Sequence, residues 1–308
     1  MIRAPLPPSV AIIMINFNRV DDTIECIRSL QRCEYPAFSI LLIDNGSTDG
    51  SEARLRSELP DIPLLAAGEN LGYTGGVNLG LEQHSSKEAD YVLILNNDTI
   101  VEPDFLDHLV AAMEEQQHAA AACGTIYCHH DREKIWYAGG RLIPWRGIAV
   151  HEHKGQKLPR VGLNGVRSVS FVTGCMIILR TSMLADIGKE DERFFMYLDD
   201  IEFSARIMRK GYRLLYVPQS VIYHKVLGEK ESPFKLYYSA RNRLLLIQTL
   251  GGRFERTIAA MYFLTVISLK YLAWSVVKPP FARAAFAGLR DYFGARFYEG
   301  RGATFVSP

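Results

Sequence analysis

Short, uninterrupted apolar runs alternate with segments of helical spacing through the first half of the chain. The runs Val10–Ile15, Ser39–Ile43 and Tyr91–Leu95 are apolar at nearly every position, whereas Asp21–Cys33 has an apolar residue at every third position from Ile24 onward. Continuous apolar strands are typical of a sheet covered on both faces, and helices of about a dozen residues between them are typical of parallel crossovers. The pattern therefore predicts an α/β fold with a mixed, mainly parallel sheet and helices on both faces.

Further elements follow from the same spacing and from turn residues. We predict additional helices at Thr48–Leu59, Tyr73–His84, Pro103–Gln117, Thr181–Ile187 and Asp199–Lys210. We predict additional strands at Pro63–Ala66, Ala119–Tyr127, Ile135–Tyr137, Val169–Val172, Cys175–Leu179, Arg213–Val217 and Val221–Tyr223. After Ser232 the spacing is wholly helical, so the organisation predicted is an α/β domain over residues 1–230 and a helical region over residues 231–308.

Polar side chains follow four of the predicted strands. They are Asn16 and Asn18, Asp44 and Asn45, Asn70, and the run Asn96–Asp98. Each alone is ordinary turn chemistry. Parallel sheets bind ligands outside the carboxyl ends of their strands, so four polar ends on one sheet edge indicate a binding site.

Two acidic groups carry candidate chemistry. Asp98 ends an apolar strand, where a carboxylate can hold a divalent cation against a diphosphate; the alternative is a turn residue before Pro103. Asp199, Asp200 and Glu202 follow an aromatic stretch, and for Asp199 the favoured interpretation is a cap of the following helix. Crowded carboxylates beside apolar surface have raised pKa values, which suits a general base that acts on a hydroxyl group.

Several competing functions lack their motifs. The chain has no phosphate-binding loop of the G-x-x-x-x-G-K-[ST] type, no G-x-G-x-x-G fingerprint, no H-E-x-x-H pair and no G-x-S-x-G elbow. The loop histidines His129, His130, His151 and His153 have no metal-ligand spacing and are interpreted as solvated. A nucleotidyltransferase would show a basic glycine-rich loop near the N-terminus, and the segment Asn16–Asn18 does not resemble one. A non-catalytic nucleotide-binding scaffold would not need the crowded acids at 199–202.

Charge and cysteine content indicate a compartment. Residues 225–308 carry a net charge of +8 and the preceding 224 residues a net charge of −7, which fits an acidic metal-binding domain beside a segment that faces anionic lipid. The overall charge of +1 indicates no nucleic-acid partner. Five cysteines without a C-x-x-C pair indicate reduced thiols in a cytosolic protein.

In this order and spacing, six segments resemble the family 2 inverting glycosyltransferases of the GT-A fold, particularly the rhamnosyltransferase-like branch. The similarity covers about residues 9–250. The segments are Ile15–Asn18, Leu42–Gly50, Asn70–Gly80, Leu95–Asp98, Thr173–Met176 and Asp191–Arg206. The resemblance implies a single-displacement transfer from a nucleotide-sugar, with dTDP-rhamnose favoured over UDP-sugars. It also implies a role in cell-surface polysaccharide synthesis.

The resemblance also assigns roles to individual positions. Asp200 would be the catalytic base, Asp98 would bind Mg²⁺ or Mn²⁺, and His224 would complete the metal site. Asp44 would contact the nucleotide base, with Asn16, Asn18, Asn45, Asn70, Gly76, Asn78 and Asn97 also on the nucleotide side. The acceptor side would contain Gly174, Cys175, Asp199 and Glu202.

The chain departs from the family pattern at three places. Asn96 replaces an acid of the metal motif, so the metal should bind weakly without the donor. Asp199 and Glu202 exchange the acids of the family's E-D-x-D pattern, which keeps the charge and changes the reach. The Q-x-x-R-W motif of processive synthases is absent, which predicts one sugar per acceptor encounter.

The C-terminal region has two apolar helical stretches. Ile258–Val277 reaches the length of about 20 residues that spans a bilayer, but Lys270 lies near its middle. Phe281–Tyr298 mixes aromatic residues with arginines, as interfacial helices do. We expect peripheral or monotopic association with the cytoplasmic membrane face, where a polyprenyl-linked acceptor would lie. A dimer-forming hairpin and a true membrane span are the alternatives.

Overall fold

A computed structural model describes residues 6–83, 89–157, 165–225 and 231–297. A ten-stranded mixed sheet forms the centre of the protein, in the order β10-β12-β6-β11-β4-β1-β2-β3, with β5 paired to β12 and β7 to β6. The strands are β1 (Val10–Asn16), β2 (Phe38–Asp44), β3 (Leu64–Ala66), β4 (Tyr91–Asn96), β5 (Thr99–Val101), β6 (Ala119–Cys128), β7 (Asp131–Tyr137), β8 (Gly140–Ile143), β9 (Ile148–His151), β10 (Arg167–Val169), β11 (Met176–Arg180) and β12 (Arg213–His224). Strands β8 and β9 form a separate antiparallel hairpin.

The predicted sheet is confirmed, and its two parallel halves run in the same direction on either side of one reversed strand. Strands β4, β1, β2 and β3 are parallel neighbours, and β6 and β12 are also parallel. Strand β11 lies antiparallel between β4 and β6 and joins the two halves. The parallel strands β1 and β4 are buried at nearly every position because helices cover both faces.

Nine α-helices accompany the sheet in the described part of the chain. They are α1 (Val20–Leu30), α2 (Ser51–Glu58), α3 (Gly72–Gln83), α4 (Phe105–Glu115), α5 (Thr181–Ile187), α6 (Asp199–Arg209), α7 (Pro233–Thr249), α8 (Arg253–Val277) and α9 (Pro279–Phe293). The main hydrophobic core includes Leu245 and Leu246 of helix α7 and Leu250, which follows the end of that helix. The predicted boundary at residues 230/231 stays a prediction.

Some sequence predictions need correction. The two strands predicted at Arg213–Val217 and Val221–Tyr223 are one strand, β12, with an irregularity in its pairing to β6 between Val217 and Val221. Strands β5, β8 and β9 were not predicted, because they are only three or four residues long. The helix predicted at Phe281–Tyr298 ends earlier, at Phe293. His84 and Tyr298, at the ends of two predicted helices, lie outside the described residues.

Helix α8 is long and apolar enough to cross a membrane by length and composition, and it is the single such helix among the described residues. Only 11% of its most apolar 18-residue window is buried, so it is not a core helix. The C-terminal helical segment that the sequence predicts is therefore present, with an exposed apolar helix as its main feature.

Candidate active site

A cavity of about 690 Å³ opens at the carboxyl ends of strands β1 and β4, between helix α6 and the β8–β9 hairpin. Its lining includes six of the predicted site residues, namely Asp98, Gly174, Cys175, Asp199, Asp200 and His224. It also includes residues that the sequence analysis did not select, among them Arg19, Tyr73, Trp136, His151, Lys154, Tyr197 and Lys235. The two residues predicted to bind the metal and the residue predicted to be the general base therefore line the same cavity.

Asp98 and His224 face each other on one wall of the cavity. His224 Nε2 lies 3.1 Å from Asp98 Oδ1. Tertiary pairing creates this contact, because β12 runs antiparallel to β5 and places His224 opposite Thr99, next to Asp98. Trp136 packs edge-on against the His224 ring, with the ring centroids 4.7 Å apart, and so fixes its orientation.

The pair fits a divalent cation. Asp98 Oδ1 is buried and makes no hydrogen bond within the described part of the chain, and the same is true of His224 Nδ1. Two ligands about 2.1 Å from one ion and at right angles are about 3 Å apart, which matches the observed separation. No group of three or more His, Cys, Asp or Glu side chains suited to a metal occurs in the described ranges. A bound diphosphate and water would supply further oxygen ligands to such an ion.

Asp200 lies at the start of helix α6, facing the cavity. Burial raises the pKa of its carboxyl group to about 6, although hydrogen bonds from main-chain groups act in the opposite direction and lower this pKa. One of these comes from Gly174 N, which donates to Asp200 Oδ2 at 3.3 Å. The carboxylate is therefore oriented, ionised at neutral pH and more basic than an ordinary aspartate, as a general base requires.

The neighbouring acids have different environments. Asp199 is buried, and burial together with the charge of Asp200 raises its pKa to about 8, so it is protonated at neutral pH. Burial also raises the pKa of Glu190 well above its usual value. Glu202 is buried but forms a 2.8 Å ion pair with Arg206 one helical turn away. Glu202 therefore stabilises α6 internally and does not line the cavity.

The nucleotide-side residues form a buried network beside the cavity. Asn16 Nδ2 donates to Asp44 Oδ1 at 2.8 Å, and both the main-chain N and the Oγ of Ser47 donate to the Asp44 carboxylate. Thr23 Oγ1 donates to Asn16 Oδ1, and Asn97 Nδ2 donates to Thr23 Oγ1. The network joins the ends of β1, β2 and β4. Asp44 is almost completely buried, so here it orients its neighbours rather than facing open space.

Two more polar contacts hold the adjacent loops. Asn18, with a left-handed φ of 52°, accepts a hydrogen bond from Thr48 N through Oδ1. Asn45 Nδ2 donates to Gly72 O at 2.9 Å, and Asn45 Oδ1 accepts from Leu71 N. Asn70 Oδ1 accepts from Gly72 N. These bonds fix the loops after β2 and β3 that flank the nucleotide-side network.

Gly76 and Asn78 serve the packing of helix α3. A Cβ atom at Gly76 would lie 3.3 Å from the Ile15 side chain, so glycine allows α3 to approach β1 closely. Asn78 Nδ2 donates to Glu190 O, and Asn78 Oδ1 accepts from Glu190 N, both at 2.9 Å. Asn78 thereby connects α3 to the loop that leads to the acids of α6, away from the nucleotide-side network.

On the predicted acceptor side, Gly174 contacts both Tyr73 and Asp200. Tyr73 Oη donates to Gly174 O at 2.7 Å. A Cβ atom at Gly174 would lie 3.2 Å from Tyr73 Oη, so a larger residue would crowd the tyrosine hydroxyl, whereas its 3.6 Å distance to Asp200 Cβ would be an ordinary contact. Cys175 is buried, and burial raises the pKa of its thiol well above the usual value, with contributions from the charges of Asp98 and Asp200. The thiol therefore stays protonated at neutral pH, and Cys175 lines the cavity.

Helix α7 holds the loop before Asp199, a contribution that the sequence analysis missed. Phe195, Tyr197 and Leu198 all have left-handed φ values of 62–66°, which are strained for residues other than glycine. Asn242 Nδ2 donates to the main-chain oxygens of Phe194, Met196 and Tyr197 at 2.8–2.9 Å. Arg241 Nη2 donates to Phe194 O at 2.8 Å. In the sequence, the only indication of this role is the polar pair Arg241 and Asn242 beside the apolar run of residues 244–247.

Three residues of the opposite wall were also missed. His151 was interpreted as solvated, but it packs edge-on against Trp136 at 4.7 Å between ring centroids, and its Nδ1 lies 3.0 Å from Trp136 O. Lys154 Nζ lies 5.8 Å from the centroid of the Trp136 ring. Trp136 therefore has imidazoles on two sides and a cation nearby. No spacing rule predicts this arrangement, because the β8–β9 hairpin folds back onto β7 only in three dimensions.

Comparison with known proteins agrees with this geometry. The sequence model of the family described as "Glycosyl transferase family 2" matches residues 11–188, more than half of the chain. An N-acetylglucosaminyl-diphospho-decaprenol L-rhamnosyltransferase of Mycobacterium tuberculosis is 30% identical over 228 residues, which cover 67% of this chain and 73% of that protein. A low-salt glycan biosynthesis hexosyltransferase of Haloferax volcanii is 24% identical and covers 89% of this chain and 85% of its own.

A solved structure shares the fold. The mannosyltransferase from Pyrobaculum calidifontis, in complex with GDP-Man and Mn²⁺, superposes with a TM-score of 0.55 at 15% identity. The superposition covers 95% of this chain and 90% of that protein. At this identity the likeness establishes the architecture alone.

Proposed function

Since the chain belongs to glycosyl transferase family 2, we propose that it moves a sugar from a nucleotide-diphosphate donor to a hydroxyl group of a glycan or lipid-linked acceptor, with inversion at the anomeric carbon. One observation carries the proposal. A single cavity contains a carboxylate of raised pKa, Asp200, together with the paired side chains Asp98 and His224. The first is suited to a hydroxyl acceptor and the second to a diphosphate with its cation.

Asp200 is the general base of the proposed reaction. It accepts the proton of the acceptor hydroxyl as that oxygen bonds to the anomeric carbon, while the bond from that carbon to the diphosphate breaks. The leaving nucleoside diphosphate takes the electron pair. The hydrogen bond from Gly174 N orients the carboxylate for this proton transfer. Asp199, neutral at the same pH, adds no second negative charge beside the base.

Asp98 and His224 would hold the metal ion, Mg²⁺ or Mn²⁺. The ion would neutralise charge that develops on the departing diphosphate. Asp98 Oδ1 is buried and accepts no hydrogen bond from the described residues, and its 3.1 Å separation from His224 Nε2 suits two ligands of one ion; both observations support this role. Because Asn96 supplies no charge to the site, we expect the ion to bind tightly only with the donor present.

The favoured donor is dTDP-rhamnose: the relative at 30% identity is named a rhamnosyltransferase, which supports rhamnose, and the family resemblance of the sequence favours dTDP as the nucleotide. The same name describes a diphospho-decaprenol acceptor, which supports a lipid-linked acceptor for this chain. Trp136 and Tyr197, on the cavity wall, offer aromatic surface to sugar rings. A UDP-sugar-dependent transferase of the same fold is the alternative.

We place this reaction at the cytoplasmic face of the cell membrane. The five cysteines of the chain are free and four of them are buried, which fits a reducing compartment. A polyprenyl-linked acceptor lies in the membrane, and the chain has an exposed apolar helix, α8, to meet it there. Association of two copies through the C-terminal helices is the alternative use of that surface.

Thermal unfolding tests the donor class first. The protein is unfolded with UDP, dTDP, GDP or CMP, each with Mn²⁺ and with a chelator. A nucleotide at about 100 times its Kd stabilises the folded state by roughly 2.7 kcal/mol. We expect stabilisation by dTDP that requires the metal, and stabilisation by UDP alone would favour the alternative donor.

Product analysis tests the transfer itself. The protein is incubated with dTDP-rhamnose and an N-acetylglucosaminyl-diphospholipid, and the anomeric configuration of the product is read by NMR. Nucleotide binding without transfer from any donor would favour the non-catalytic scaffold and contradict the proposed activity.

A further inference from the structure

The end of the α8–α9 hairpin is an exposed apolar surface with a basic rim. We define the hairpin tip as residues 268–286. Leu272, Val276 and Val277 are 65%, 84% and 74% exposed, and Leu269 and Phe286 are also exposed. Monomeric soluble proteins rarely leave so many large apolar side chains together in water, so this surface has a partner.

The first part of α8 is fastened to the protein body. Phe263 and Ile267 are buried in a cluster with Leu244 and Ile247 of α7. The Tyr262 ring packs against Trp145, with the centroids 5.4 Å apart. After Ile267 none of the residues of α8 is buried. From residue 268 on, Trp274 is half-buried and packs against this cluster, while the other residues of α8 are exposed. Most of α8 beyond residue 267 therefore projects from the body.

The free part of α8 is too short to cross a bilayer. Its ten residues, 268–277, extend about 15 Å at 1.5 Å per residue, which is half of the roughly 30 Å hydrocarbon core. Lys278 and Pro279 then reverse the chain into α9, whose small residues Ala282, Ala284, Ala285, Ala287 and Gly288 are buried again. Gly288 of α9 packs closely on α7, where a Cβ atom would lie 2.5 Å from Tyr237 O.

The charge around the tip selects the partner. Between residues 256 and 290 the chain has five basic residues and no acidic one. Lys270, Lys278 and Arg283 are exposed at the tip itself. Lys270 Nζ lies over the Trp274 ring and Lys278 Nζ over the Phe281 ring, at 5.6 and 5.3 Å from the centroids. Lysine beside tryptophan, at the edge of an apolar surface, is typical of the lipid interface.

We propose that the hairpin tip inserts into one leaflet of an anionic bilayer without crossing it. The apolar side chains enter the acyl region, and Lys270, Lys278 and Arg283 contact the phosphate groups of the lipids. Deeper along the hairpin, Ala284 and Ala287 of α9 pack with Phe195, and Met196 packs against the same cluster. Met196 lines the catalytic cavity. The inserted element is thus directly continuous with the predicted acceptor side.

Vesicle binding tests the inference without donor or acceptor, so its outcome does not depend on the proposed sugar transfer. The full chain is sedimented with vesicles of phosphatidylcholine, and with vesicles of equimolar phosphatidylcholine and phosphatidylglycerol. We expect binding to the anionic vesicles, reduced at least about tenfold in the double variant Leu272→Asp/Val276→Asp. Phe254→Asp is the matched control, because Phe254 is 78% exposed at the fastened end of the same helix.

Charge and depth have separate readouts. The double variant Lys278→Gln/Arg283→Gln should lose about fivefold in binding per charge at low salt, and less at high salt. Quenching of Trp274 fluorescence by brominated lipids measures depth. Bromines near the carbonyl end should quench more than bromines at the bilayer centre, and Trp274→Phe should remove this signal.

Three results would overturn the inference. One is equal vesicle binding by the parent and the Leu272→Asp/Val276→Asp variant. Another is stronger quenching from the bilayer centre, which would indicate a spanning helix. The third is a dimer that becomes a monomer in the tip variant while vesicle binding is absent throughout, which would make a second copy of the chain the partner.

Discussion

Asn242 donates a hydrogen bond of 2.9 Å from Nδ2 to the main-chain oxygen of Tyr197, across 45 positions of the chain. Tyr197 has a φ of 66°, and such a left-handed backbone costs a non-glycine residue about 1–2 kcal/mol. The bond, with its two companions to Phe194 and Met196, offsets this strain. The loop it holds leads directly into Asp199 and Asp200, so a helix outside the matched family segment holds the backbone beside the proposed general base.

Asn242→Ala should therefore lower the turnover rate more than donor binding. We expect kcat to fall roughly 10- to 100-fold, because the base moves relative to the acceptor. The Kd for the donor nucleotide should stay unchanged, because that side of the cavity is built from β1, β2 and β4. Loss of the buried bonds should also lower the free energy of unfolding by about 2 kcal/mol or more.

Gln248→Ala is the matched control for Asn242, because Gln248 is an exposed amide on the same helix. It should leave kcat unchanged. A tenfold increase in nucleotide Kd with unchanged kcat in Asn242→Ala would show that the loop does not orient the base.

Asp200→Asn should abolish proton acceptance while keeping the shape of the side chain. We expect transfer to fall by at least about 100-fold, the usual contribution of a general base. Donor-nucleotide affinity, measured by calorimetry, should stay within twofold of the parent. Asp186→Asn, an exposed aspartate of α5 paired with Lys210, is the control and should transfer normally. Equal rates in Asp200→Asn and the parent would exclude Asp200 as the base.

The activity should depend on pH through the same carboxyl group. The pKa of Asp200 is raised to about 6, and the base must be ionised to act. We therefore expect kcat/KM to fall about tenfold per pH unit below pH 6 and to level off above it. A profile measured from pH 4.5 to 8 with saturating metal checks this. A plateau that continues down to pH 5 would contradict the assignment.

The Asp98–His224 pair should control metal-dependent binding of the nucleotide diphosphate. Asp98→Ala and His224→Ala should each reduce the Mn²⁺-dependent part of the thermal stabilisation by the nucleotide. The part that remains in chelator should be unchanged. His118→Ala, an exposed histidine away from the cavity, should behave as the parent. If the metal dependence persists in both variants, the ion is held elsewhere.

Asp199 should make stability fall as pH rises. Its pKa is 3.8 when unfolded and about 8 when folded, so the folded state binds more protons between these values. Stability therefore decreases as pH rises through that window. We expect the parent to lose about 2 °C or more in Tm between pH 6 and pH 9. Asp199→Asn, neutral throughout, should lose less, and identical slopes in the two proteins would rule out a buried neutral Asp199.

The sequence by itself determined the regular part of the fold. Buried strands such as Val10–Asn16 and Tyr91–Asn96 are recognisable because two covered faces require apolar residues at every position. Local patterns could determine these strands because each depends on a few neighbouring residues. The resemblance to family 2 glycosyltransferases, rather than local spacing, placed Asp98, Asp200 and His224 in one predicted site, and their roles stay a prediction.

Only the tertiary structure decided how the site is held and completed. His224 meets Asp98 because β12 pairs with β5, and Trp136 meets His224 because β7 pairs with β6. Asn242 reaches Tyr197 because α7 packs beside α6, a contact between segments that share no spacing pattern. The protruding end of α8 likewise depends on which of its apolar residues find neighbours. Long-range packing selects such contacts from many that the same sequence would allow, so no local periodicity records them.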